Sequence, residues 1–545
     1  MTKVTTQEAG AATVPAPGAP EEPAPEVSAL VDRMHPPMPV GHWTWLGPLL
    51  VTVFGGVLRF WHLGRPHAVV FDETYYVKDS YSLLLYGHER AYVPDADLKM
   101  LNGDTALFKD KATFIVHPPV GKWVIAAGEK LAGLDPFGWR LGVAVIGTLS
   151  VFLMCRVAMR LTRSVLLGCV AGLLLAVDGL AVVMSRTALL DGSLSFFLLA
   201  AFGCLLVDRD GVRLRLAVTA GAPPGEGGSR DVHGPRLGAR PWRIAAGVFL
   251  GLAVGTKWSG LFYIATFGVM TILWDAAARR MAGVAHPRWA TLRRDAVPAF
   301  ASLVLVALAV YLASWTGWLS SGGGWSRHWA EVHPAALPFV PDALRSLWHY
   351  HTEMWHFHAH LTQHHPYQSN PWGWLVLARP VAYYSREGSV GCDAPTCTSE
   401  VLGIGTPALW WTGAAALVYL LWRWTGARDW RAGAVLGAVA AGYLPWFQYT
   451  DRPIFLFYAV AFVPYLVLAV TLLIGGLIGP EPAASGDAGG RPALRARRRR
   501  AVGAVAAGTI VALVVMNFFY LYPLFTAGTM PRSDWLARMW FRSWI

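Results

Sequence analysis

The sequence predicts an all-α protein that crosses a membrane many times. Of its 545 residues, 54% are hydrophobic and 15% are charged, and the mean hydropathy is +0.39. Apolar runs of about 20 residues recur along the whole chain, and this is the length that a helix needs to span a bilayer. Such runs must be helical, because a helix satisfies its own backbone polar groups in lipid.

Eleven apolar runs are expected to form transmembrane helices. The runs lie near residues 46–62, 139–159, 164–184, 188–207, 243–256, 259–274, 296–315, 405–422, 432–449, 454–478 and 501–522. The chain has no internal repeat, although many secondary transporters are built from repeats. This counts against a transporter.

Basic residues indicate the orientation of the bundle, because short cytoplasmic loops are enriched in Lys and Arg. The basic connections are 155–164, 208–243, 279–295, 422–431 and 491–500. Placing them inside predicts a plasma-membrane protein with a cytoplasmic N-terminus and an extracytoplasmic C-terminus. The loops 64–138 and 316–404 are then extracytoplasmic. The net charge of +12 is explained by these basic cytoplasmic connections. Since the sequence contains no nucleic-acid motif, we expect no nucleic acid partner.

The N-terminal segment 1–40 differs from the rest of the chain. It is rich in Ala, Pro and Glu. This composition cannot support a packed core, and the segment lacks the apolar centre of a signal peptide. We expect a disordered cytoplasmic tail, followed by one transmembrane domain over residues 41–545.

Two adjacent carboxylates, Asp72 and Glu73, follow the first apolar run in the segment FDETYYVKDSYSL. They are either part of a solvated loop or the working groups of an enzyme, since a carboxylate can act as a general base. The stretch that follows them is rich in Tyr and Leu and predicts a helix on the membrane surface. The segment 120–131 predicts a second interfacial helix.

Several other polar groups are predicted on the same side of the membrane. Each has a structural alternative: a Lys or Arg can extend to the interface, and Arg186 with Asp191 can form a salt bridge that locks a hairpin. The candidates are His117, Lys122, Arg140, Arg186, Asp191, Lys257 and Arg452.

Taken together, these groups favour a catalytic site. Cations can stabilise a phosphate that leaves with negative charge, and a base beside them can activate a hydroxyl group. The pattern therefore predicts transfer of a group from a lipid phosphate to a hydroxyl outside the cell. A transporter would need polar residues along a path through the bilayer, whereas these residues collect at one face.

Histidine and cysteine raise two further questions. His356, His360 and His364 recur every four residues and suggest a metal or lipid-phosphate site, or else a polar interfacial helix. We favour the helix without a metal, because no carboxylate or thiolate completes a compact set. Cys392 and Cys397, in GCDAPTCTSE, predict a small disulfide loop if that side is oxidising. Zinc is the weaker alternative, since no second cysteine pair lies nearby.

The motifs that contain these residues resemble those of the protein O-mannosyltransferases, which have a GT-C glycosyltransferase architecture. They occur in order as FDETYYVKDSYSL, HPPVGK, WRL, SRTALLDGSLSFF, GTKWSGLF, HPYQSNPWGWLVLARP, YLPWF with DRPIFLFY, and the terminal MWFRSWI. Each motif alone is weak, but the ordered set from residue 71 to 545 is specific. The Pro-rich tail and the Ala, Arg and Gly content are typical of a high-GC actinobacterium.

The resemblance implies that residues 41–545 form a catalytic domain that transfers mannose from polyprenyl-phosphate-mannose to Ser or Thr of secreted or membrane proteins. Such acceptors would be met during translocation. The family inverts the anomeric centre. The resemblance also implies that Asp72 is the general base, that Glu73 positions the acceptor or the sugar, and that Arg140 lies near the donor phosphate. No metal or other cofactor is implied, because Arg and Lys meet the lipid phosphate.

One departure from the family concerns the acceptor. Eukaryotic members carry a soluble β-trefoil domain in a long luminal loop, whereas 316–404 holds only about 90 residues. Acceptor selection is therefore expected to work without that domain. The nearest rival is another GT-C enzyme that acts on a lipid or glycan. It would share the acidic pair but not HPYQSNPWGW together with FRSWI.

Overall fold

The protein is mainly helical. A computed structural model describes residues 25–221, 232–334, 338–480 and 491–545. The first helices are α1 (Pro25–Met34), α2 (Trp43–Phe60), α3 (Glu73–Tyr86), α4 (Ala96–Leu101), α5 (Val120–Ala132), α6 (Pro136–Thr162), α7 (Val165–Ala176), α8 (Gly179–Met184), α9 (Asp191–Gly221), α10 (Pro241–Val254) and α11 (Gly260–Met281).

The second half of the chain continues in the same way. Its helices are α12 (Pro287–Thr291), α13 (Val297–Phe300), α14 (Val306–Ser314), α15 (Thr316–Ser320), α16 (Asp342–His360), α17 (Pro407–Thr425), α18 (Trp430–Tyr443), α19 (Val463–Ile478), α20 (Arg491–Leu521) and α21 (Arg532–Arg538). Two π-helical segments, Leu292–Ala296 and Ala301–Leu305, join α12, α13 and α14 into one long rod.

Two small sheets correct the all-α prediction. β1 (Arg90–Tyr92) pairs with β2 (Phe108–Ala112), and β3 (Val381–Gly388), β4 (Cys397–Gly403) and β5 (Met530–Pro531) form a sheet in that order. All five strands are short, and they lie in the connections rather than in the bundle. Strands of two to eight residues give little alternation, so hydropathy alone does not reveal them.

Each predicted apolar run contains helix, but the number of membrane crossings stays a prediction. Within the described ranges, six helices are long and apolar enough to cross a membrane: Trp43–Phe60, Pro136–Thr162, Asp191–Ala220, Gly260–Met281, Pro287–Ser314 and Leu494–Phe525. Three shorter apolar helices are α7, α10 and α19. The run 164–184 is broken, because the buried Asp178 accepts a hydrogen bond from Ala181 N (2.9 Å) and starts α8.

The core lies around α8, α9 and α19. Val182, Leu198 and Val467, one from each helix, are fully buried. A buried apolar helix in this position has no surface left for lipid, and the outer helices cover it. The packing therefore brings the ends of α8 and α9 to the middle of the bundle, where the polar residues of the next section lie.

Charged residues divide the bundle into two ends. At the Arg240 end, Arg240 pairs with Asp208 and Asp275, while Arg163 pairs with Asp210. These residues come from the basic connections or lie beside them. At the Asp72 end lie the loop 64–138, the segment 316–404 and the turns near Arg186, Lys257 and Asp451. Contacts such as Ser369 N to Ile454 O (2.8 Å) tie these segments together.

The N-terminal prediction needs a correction. Residues 1–24 of the expected disordered tail lie outside the described residues, but residues 25–34 form α1, which packs against α9. Leu30, Val31 and Met34 provide the apolar contact, and Met34 is 1% exposed. Arg213 donates a hydrogen bond to Met34 O. This short apolar stripe is hidden in a composition dominated by Pro, Ala and Glu.

Candidate active site

Asp72 stands at the entrance to α3 with its carboxylate unengaged. It precedes the first helical residue, Glu73, and makes no side-chain capping bond. Neither carboxylate oxygen accepts a hydrogen bond from any described residue. Phe71, just before it, has a left-handed backbone (φ 47°), which is rare for a residue with a bulky side chain. The chain therefore turns sharply and leaves the carboxylate facing the site.

Burial raises the pKa of the Asp72 carboxyl to about 6; Lys257 nearby opposes this effect, and Asp191 adds to it. A carboxylate in water titrates near pH 4 and is a weak base. A pKa closer to neutrality makes the ionised carboxylate a better proton acceptor, while most of it remains ionised at pH 7.

The Glu73 carboxylate, unlike that of Asp72, is fully hydrogen-bonded. It is completely buried, and its two oxygens accept from Arg140 Nε (2.8 Å) and Nη2 (2.9 Å). The backbone N–H groups of Val70 (3.0 Å) and Ala188 (2.9 Å) complete its shell. With four donors around it, this carboxylate has no room for a substrate hydroxyl. Glu73 joins the loop before α3 to the segment before α9.

Arg140 is likewise enclosed. Besides Glu73, its guanidinium donates to three carbonyl oxygens of the loop that leads to Asp72: Leu63 (3.3 Å), Pro66 (3.0 Å) and Ala68 (2.9 Å). All five of its N–H donors are therefore used inside the protein. Arg140 shapes the loop that carries Asp72, and its side chain has no free donor for a phosphate.

Close packing of α5 on α6 fixes the position of Arg140. A Cβ atom at Gly142 would lie 2.0 Å from Val124 O, and one at Gly128 would lie 2.4 Å from Gly138 O. The two backbones therefore touch, which only glycine permits. Asp135 caps α6 by accepting from Gly138 N (2.7 Å), so the helix begins one turn before Arg140.

Arg186 caps the end of α2. Its guanidinium donates to the carbonyl oxygens of Arg59 (2.7 Å), Trp61 (2.8 Å) and His62 (3.0 Å). The last carbonyl groups of a helix have no intrahelical partner and carry partial negative charge. Arg186 thus serves the fold, and it does not form the hairpin lock with Asp191 that the sequence left open.

Asp191 pairs with Lys257 instead. Lys257 Nζ lies 2.9 and 2.8 Å from the two Asp191 oxygens, and both side chains are buried. The ammonium also lies 4.8 Å from the centre of the Tyr458 ring. Because Asp72 interacts electrostatically with both members of the pair, the structure brings together three of the predicted residues.

Arg452 is the predicted cation with donors to spare. Its Nη1 donates to His358 O (3.2 Å), while its buried Nε has no hydrogen-bond partner among the described residues. An unpaired buried donor is costly, and an arginine fork matches the oxygens of a phosphate. Within the predicted set, Arg452 is therefore the cation with a buried donor still available to an anion.

Two histidines lie beside this arginine. The ring centres of His117 and His358 are 5.3 Å apart, and His358 Nε2 lies 2.9 Å from Val116 O. Burial lowers the pKa of His358 to about 4, and burial followed by Lys257 lowers the pKa of His117 well below its usual range. Both rings are therefore neutral at pH 7 and can donate or accept a hydrogen bond.

Lys122 lies away from the carboxylate. It forms a buried ion pair with Glu89 and donates to His117 O (3.1 Å). Its role is to hold the start of α5 against the segment after α3. Of the predicted cations, Lys122, Arg140, Arg186 and Lys257 are thus engaged by groups of the protein, whereas Arg452 keeps a buried donor without a partner among the described residues.

Aromatic side chains line one side of the site. Phe71 stacks on Tyr383 with ring centres 4.9 Å apart, and Phe457 lies 5.7 Å from both rings. Tyr458 lies next to Phe457 and contacts Lys257. The wall joins the first loop, β3 and the segment before α19. It provides an apolar surface beside the charged groups.

The sequence did not single out His358 or Tyr458. The buried face of α16 is formed by Leu347, Tyr350 and Met354, and His358 is the next residue on that stripe. This helical periodicity was available in the sequence. The predicted histidines His356, His360 and His364 are exposed instead.

The histidine-rich segment and the cysteine pair belong to the same region. The described ranges contain no group of three or more His, Cys, Asp or Glu side chains arranged to hold a metal ion. Cys392 and Cys397 form a disulfide between β3 and β4, with Cα atoms 5.8 Å apart. That bond closes the tip of the hairpin next to the aromatic wall.

In chemical terms, the site combines a base with an anion-binding group. An unengaged carboxylate of raised pKa lies near a Lys–Asp pair, and an arginine with free donors lies beyond two neutral histidines. Such an arrangement can deprotonate a hydroxyl and stabilise a departing phosphate. Glu73, Arg140 and Arg186 hold the frame around it.

Comparison with known proteins identifies the family. The family described as "Dolichyl-phosphate-mannose-protein mannosyltransferase" matches residues 49–313, and "C-terminal four TMM region of protein-O-mannosyltransferase" matches residues 343–544. Both descriptions agree with the resemblance drawn from the motifs.

Bacterial relatives align over nearly the whole chain. A polyprenol-phosphate-mannose–protein mannosyltransferase of Mycolicibacterium smegmatis (strain MKD8) is 39% identical over 517 residues, which is 92% of this chain and 93% of the relative. One of the same name from Corynebacterium glutamicum is 34% identical over 519 residues, again 92% and 93%. These organisms agree with the compositional prediction of an actinobacterial-like protein.

A solved structure shares the fold. The Saccharomyces cerevisiae protein O-mannosyltransferase Pmt1-Pmt2 complex bound to the sugar donor has a TM-score of 0.69 at 15% identity, over 96% of this chain and 94% of the other. This likeness supports the GT-C membrane architecture. On the strength of the two family matches and the full-length relatives, the chain belongs to the protein O-mannosyltransferase family.

Proposed function

We propose that this protein transfers mannose from polyprenyl-phosphate-mannose to Ser or Thr hydroxyl groups of secreted or membrane proteins. The observation that carries the proposal is the contrast between two adjacent acids. Asp72 has a free carboxylate of raised pKa, whereas Glu73 is saturated by four donors. Asp72 is the general base, and Glu73 is a positioning residue.

The reaction is a single displacement. The hydroxyl oxygen of the acceptor attacks C1 of mannose and passes its proton to the Asp72 carboxylate. The bond between C1 and the phosphate oxygen breaks, and polyprenyl phosphate leaves with the electron pair. Attack from the side opposite the phosphate inverts the anomeric centre, as in the family that the motifs resemble.

The leaving phosphate is received by Arg452, supported by His117 and His358. Arg452 Nε is buried and unpaired within the described part of the chain, so a phosphate oxygen would satisfy it. Lys257 remains paired with Asp191 and contributes positive charge near Asp72. With these groups in place, the phosphate needs no metal bridge, and we expect activity to persist in a chelator.

The site is proposed to face the extracytoplasmic side of the plasma membrane. The Cys392–Cys397 disulfide lies at the Asp72 end, and disulfides persist in oxidising compartments. The basic connections meet at the opposite end, as the cytoplasmic rule requires. The N-terminus is then cytoplasmic and the C-terminus extracytoplasmic.

The test is transfer of radiolabelled mannose to a Ser/Thr/Pro-rich peptide by membranes that contain the protein. Asp72→Asn should lower kcat by about 10²–10⁴-fold, the usual contribution of a general base. Asp110→Asn is the matched control, because the Asp110 side chain is 96% exposed. Absence of peptide label with the wild type would overturn the function.

Two outcomes address the alternatives. Equal label from other polyprenyl-phosphate sugars, or label on lipid or glycan rather than peptide, would favour another GT-C activity. Full activity of Asp72→Asn would move the role of base to another residue.

A further inference from the structure

The hairpin β3–β4 presents an unpaired strand edge beside the site. In the sheet β3–β4–β5, β4 lies in the middle and β3 at an edge. An edge strand carries a row of N–H and C=O groups that can pair with another chain. Which residues of β3 carry those free groups follows from the hydrogen bonds of β4.

One hydrogen bond shows which residues of β4 direct their backbone groups toward β5 and which toward β3. Arg532 N donates to Thr396 O at 3.0 Å, so Thr396 directs its backbone groups toward β5. Backbone groups of successive residues point to opposite sides of a strand, and Cys397 therefore points toward β3. Its neighbour in β5 is Pro531, which has no N–H to offer and agrees with this assignment.

The same alternation continues across β3. Gly388 and Arg386 lie opposite Cys397 and Ser399 and therefore bond to β4. Ser385 and the neighbouring Glu387 then direct their N–H and C=O groups away from the sheet. No described residue bonds to either backbone.

This edge leads to the catalytic carboxylate. The outer half of β3, residues 385–388, is exposed, whereas Val381 and Tyr383 are buried. Tyr383 stacks on Phe71, and Phe71 immediately precedes Asp72. Because a strand rises about 3.3 Å per residue, a chain paired with Ser385 reaches the Tyr383 level within two residues.

The edge is stiff before anything binds. A disulfide closes the hairpin tip, and Glu387 forms an ion pair with Arg532 beside β5. A preorganised edge loses little entropy when a partner binds. The exposed half of β3 also carries one positive and one negative side chain, Arg386 and Glu387, so it selects no net charge.

We propose that the acceptor polypeptide binds as an added strand along the free edge of β3, which delivers its Ser or Thr hydroxyl to Asp72. This rests on the proposed function. Pairing through backbone groups suits an enzyme that must accept many extended sequences, because affinity comes from the main chain. The acceptor is the one partner that has to pass from this edge to Asp72.

The experiment compares peptide kinetics of Ser385→Pro with the wild type. Proline removes the outward N–H and is tolerated on the free side of an edge strand. We expect KM for the peptide to rise about tenfold, the loss of about 1.4 kcal/mol, with kcat at saturation within about twofold. Val390→Pro, in the exposed turn of the same hairpin, is the control and should change neither constant. An unchanged KM in Ser385→Pro would overturn the proposal.

A second experiment changes the acceptor peptide and keeps the wild-type protein. The acceptor peptide is methylated at one backbone nitrogen at a time. Strand pairing uses every second N–H of the bound chain, so KM should rise at alternate positions. A scan without period two would overturn the proposal, and so would a change of oligomeric state in Ser385→Pro, which would assign the edge to a second copy. Failure of the proposed function is distinct, because the wild type would then label no peptide.

Discussion

The two ends of the bundle use the same residue types in different ways. At the Arg240 end, Arg240 is held between Asp208 and Asp275, and Arg279 faces Asp295 with contacts of 2.8 and 2.9 Å. At the Asp72 end, Glu73 with Arg140 is equally closed, but Asp72 and Arg452 are not.

The difference shows how a membrane protein separates structure from chemistry. Buried charges must be paired, because desolvation is expensive. At the Arg240 end, Arg240 and Arg279 follow this rule, whereas two buried donors of Arg243 have no hydrogen-bond partner among the described residues. At the Asp72 end, Asp72, Arg452 and the buried Glu129 lack full pairing among the described residues, and a substrate hydroxyl and a phosphate are the groups that would complete the first two.

The largest effect is expected from a substitution that breaks the Glu73–Arg140 ion pair at the Asp72 end. Glu73→Gln should lower the free energy of unfolding by about 3–5 kcal/mol, since Arg140 keeps a buried charge without its carboxylate. Activity should fall as well, because the amide has one acceptor oxygen in place of two, and the bonds from Val70 N and Ala188 N that shape this loop are no longer both matched by an acceptor. Thermal unfolding of the purified protein in detergent measures the first effect.

The matched change at the other end is Asp275→Asn. Arg240 retains Asp208, so we expect a smaller loss of stability and unchanged KM and kcat for the folded fraction. Normal stability in Glu73→Gln, with only a raised acceptor KM, would contradict the positioning role. It would instead support the acceptor contact that the family resemblance implied.

The second prediction sharpens the role of the unpaired arginine. Arg452→Ala should raise KM for the lipid-linked donor about 10- to 100-fold, or about 1.4–2.8 kcal/mol, which is typical of a charged hydrogen bond. The unfolding temperature should stay the same or rise, since a buried donor without a partner is removed. Donor kinetics and thermal unfolding together give the answer.

Arg428→Ala is the control for Arg452, because Arg428 is exposed at the Arg240 end. It should leave donor KM unchanged. A loss of stability in Arg452→Ala without any change in donor KM would make Arg452 a structural residue like Arg186.

The smallest effect concerns pH. Because burial raises the pKa of Asp72 to about 6, kcat/KM should fall about tenfold per pH unit below pH 6 and level off above it. The measurement is a pH–rate profile with the peptide between pH 5 and 8. A rate that stays level from pH 8 down to pH 5 would contradict a base with the raised pKa of Asp72.

The same pKa also predicts a stability effect of known sign. The folded protein binds the Asp72 proton more tightly than the unfolded chain does, so between about pH 4 and 6 the contribution of this group to stability falls as pH rises. Asp72→Asn should remove that part of the pH dependence. At pH 7 the variant should be at least as stable as the wild type.

Sequence reasoning succeeded where a signal is local. Hydropathy located the helical runs. Asp72, Asp191 and Lys257 were identified because ionisable residues beside apolar runs are unusual. It could not tell which charges are already satisfied. The partners of Arg140 and Arg186 include backbone carbonyl groups, which every residue possesses and no sequence pattern marks.

Other differences have similar causes. The break before α8 depends on the N-cap bond of Asp178, which a run of apolar residues conceals. The strand β5 has two residues and pairs with β4 across more than 100 positions of sequence. Only the folded chain brings such segments together.

The tie between Glu73 and Ala188 has a consequence for the order in which the protein is made. The two residues are 115 positions apart, and α5, α6, α7 and α8 lie between them. The loop before α3 therefore cannot reach its final shape until those helices have been synthesised and inserted. A nascent chain that stops before Ala188 carries both acidic residues, but Glu73 still lacks one of its four donors, so the acidic motif takes its final shape only around the time that the ninth helix forms.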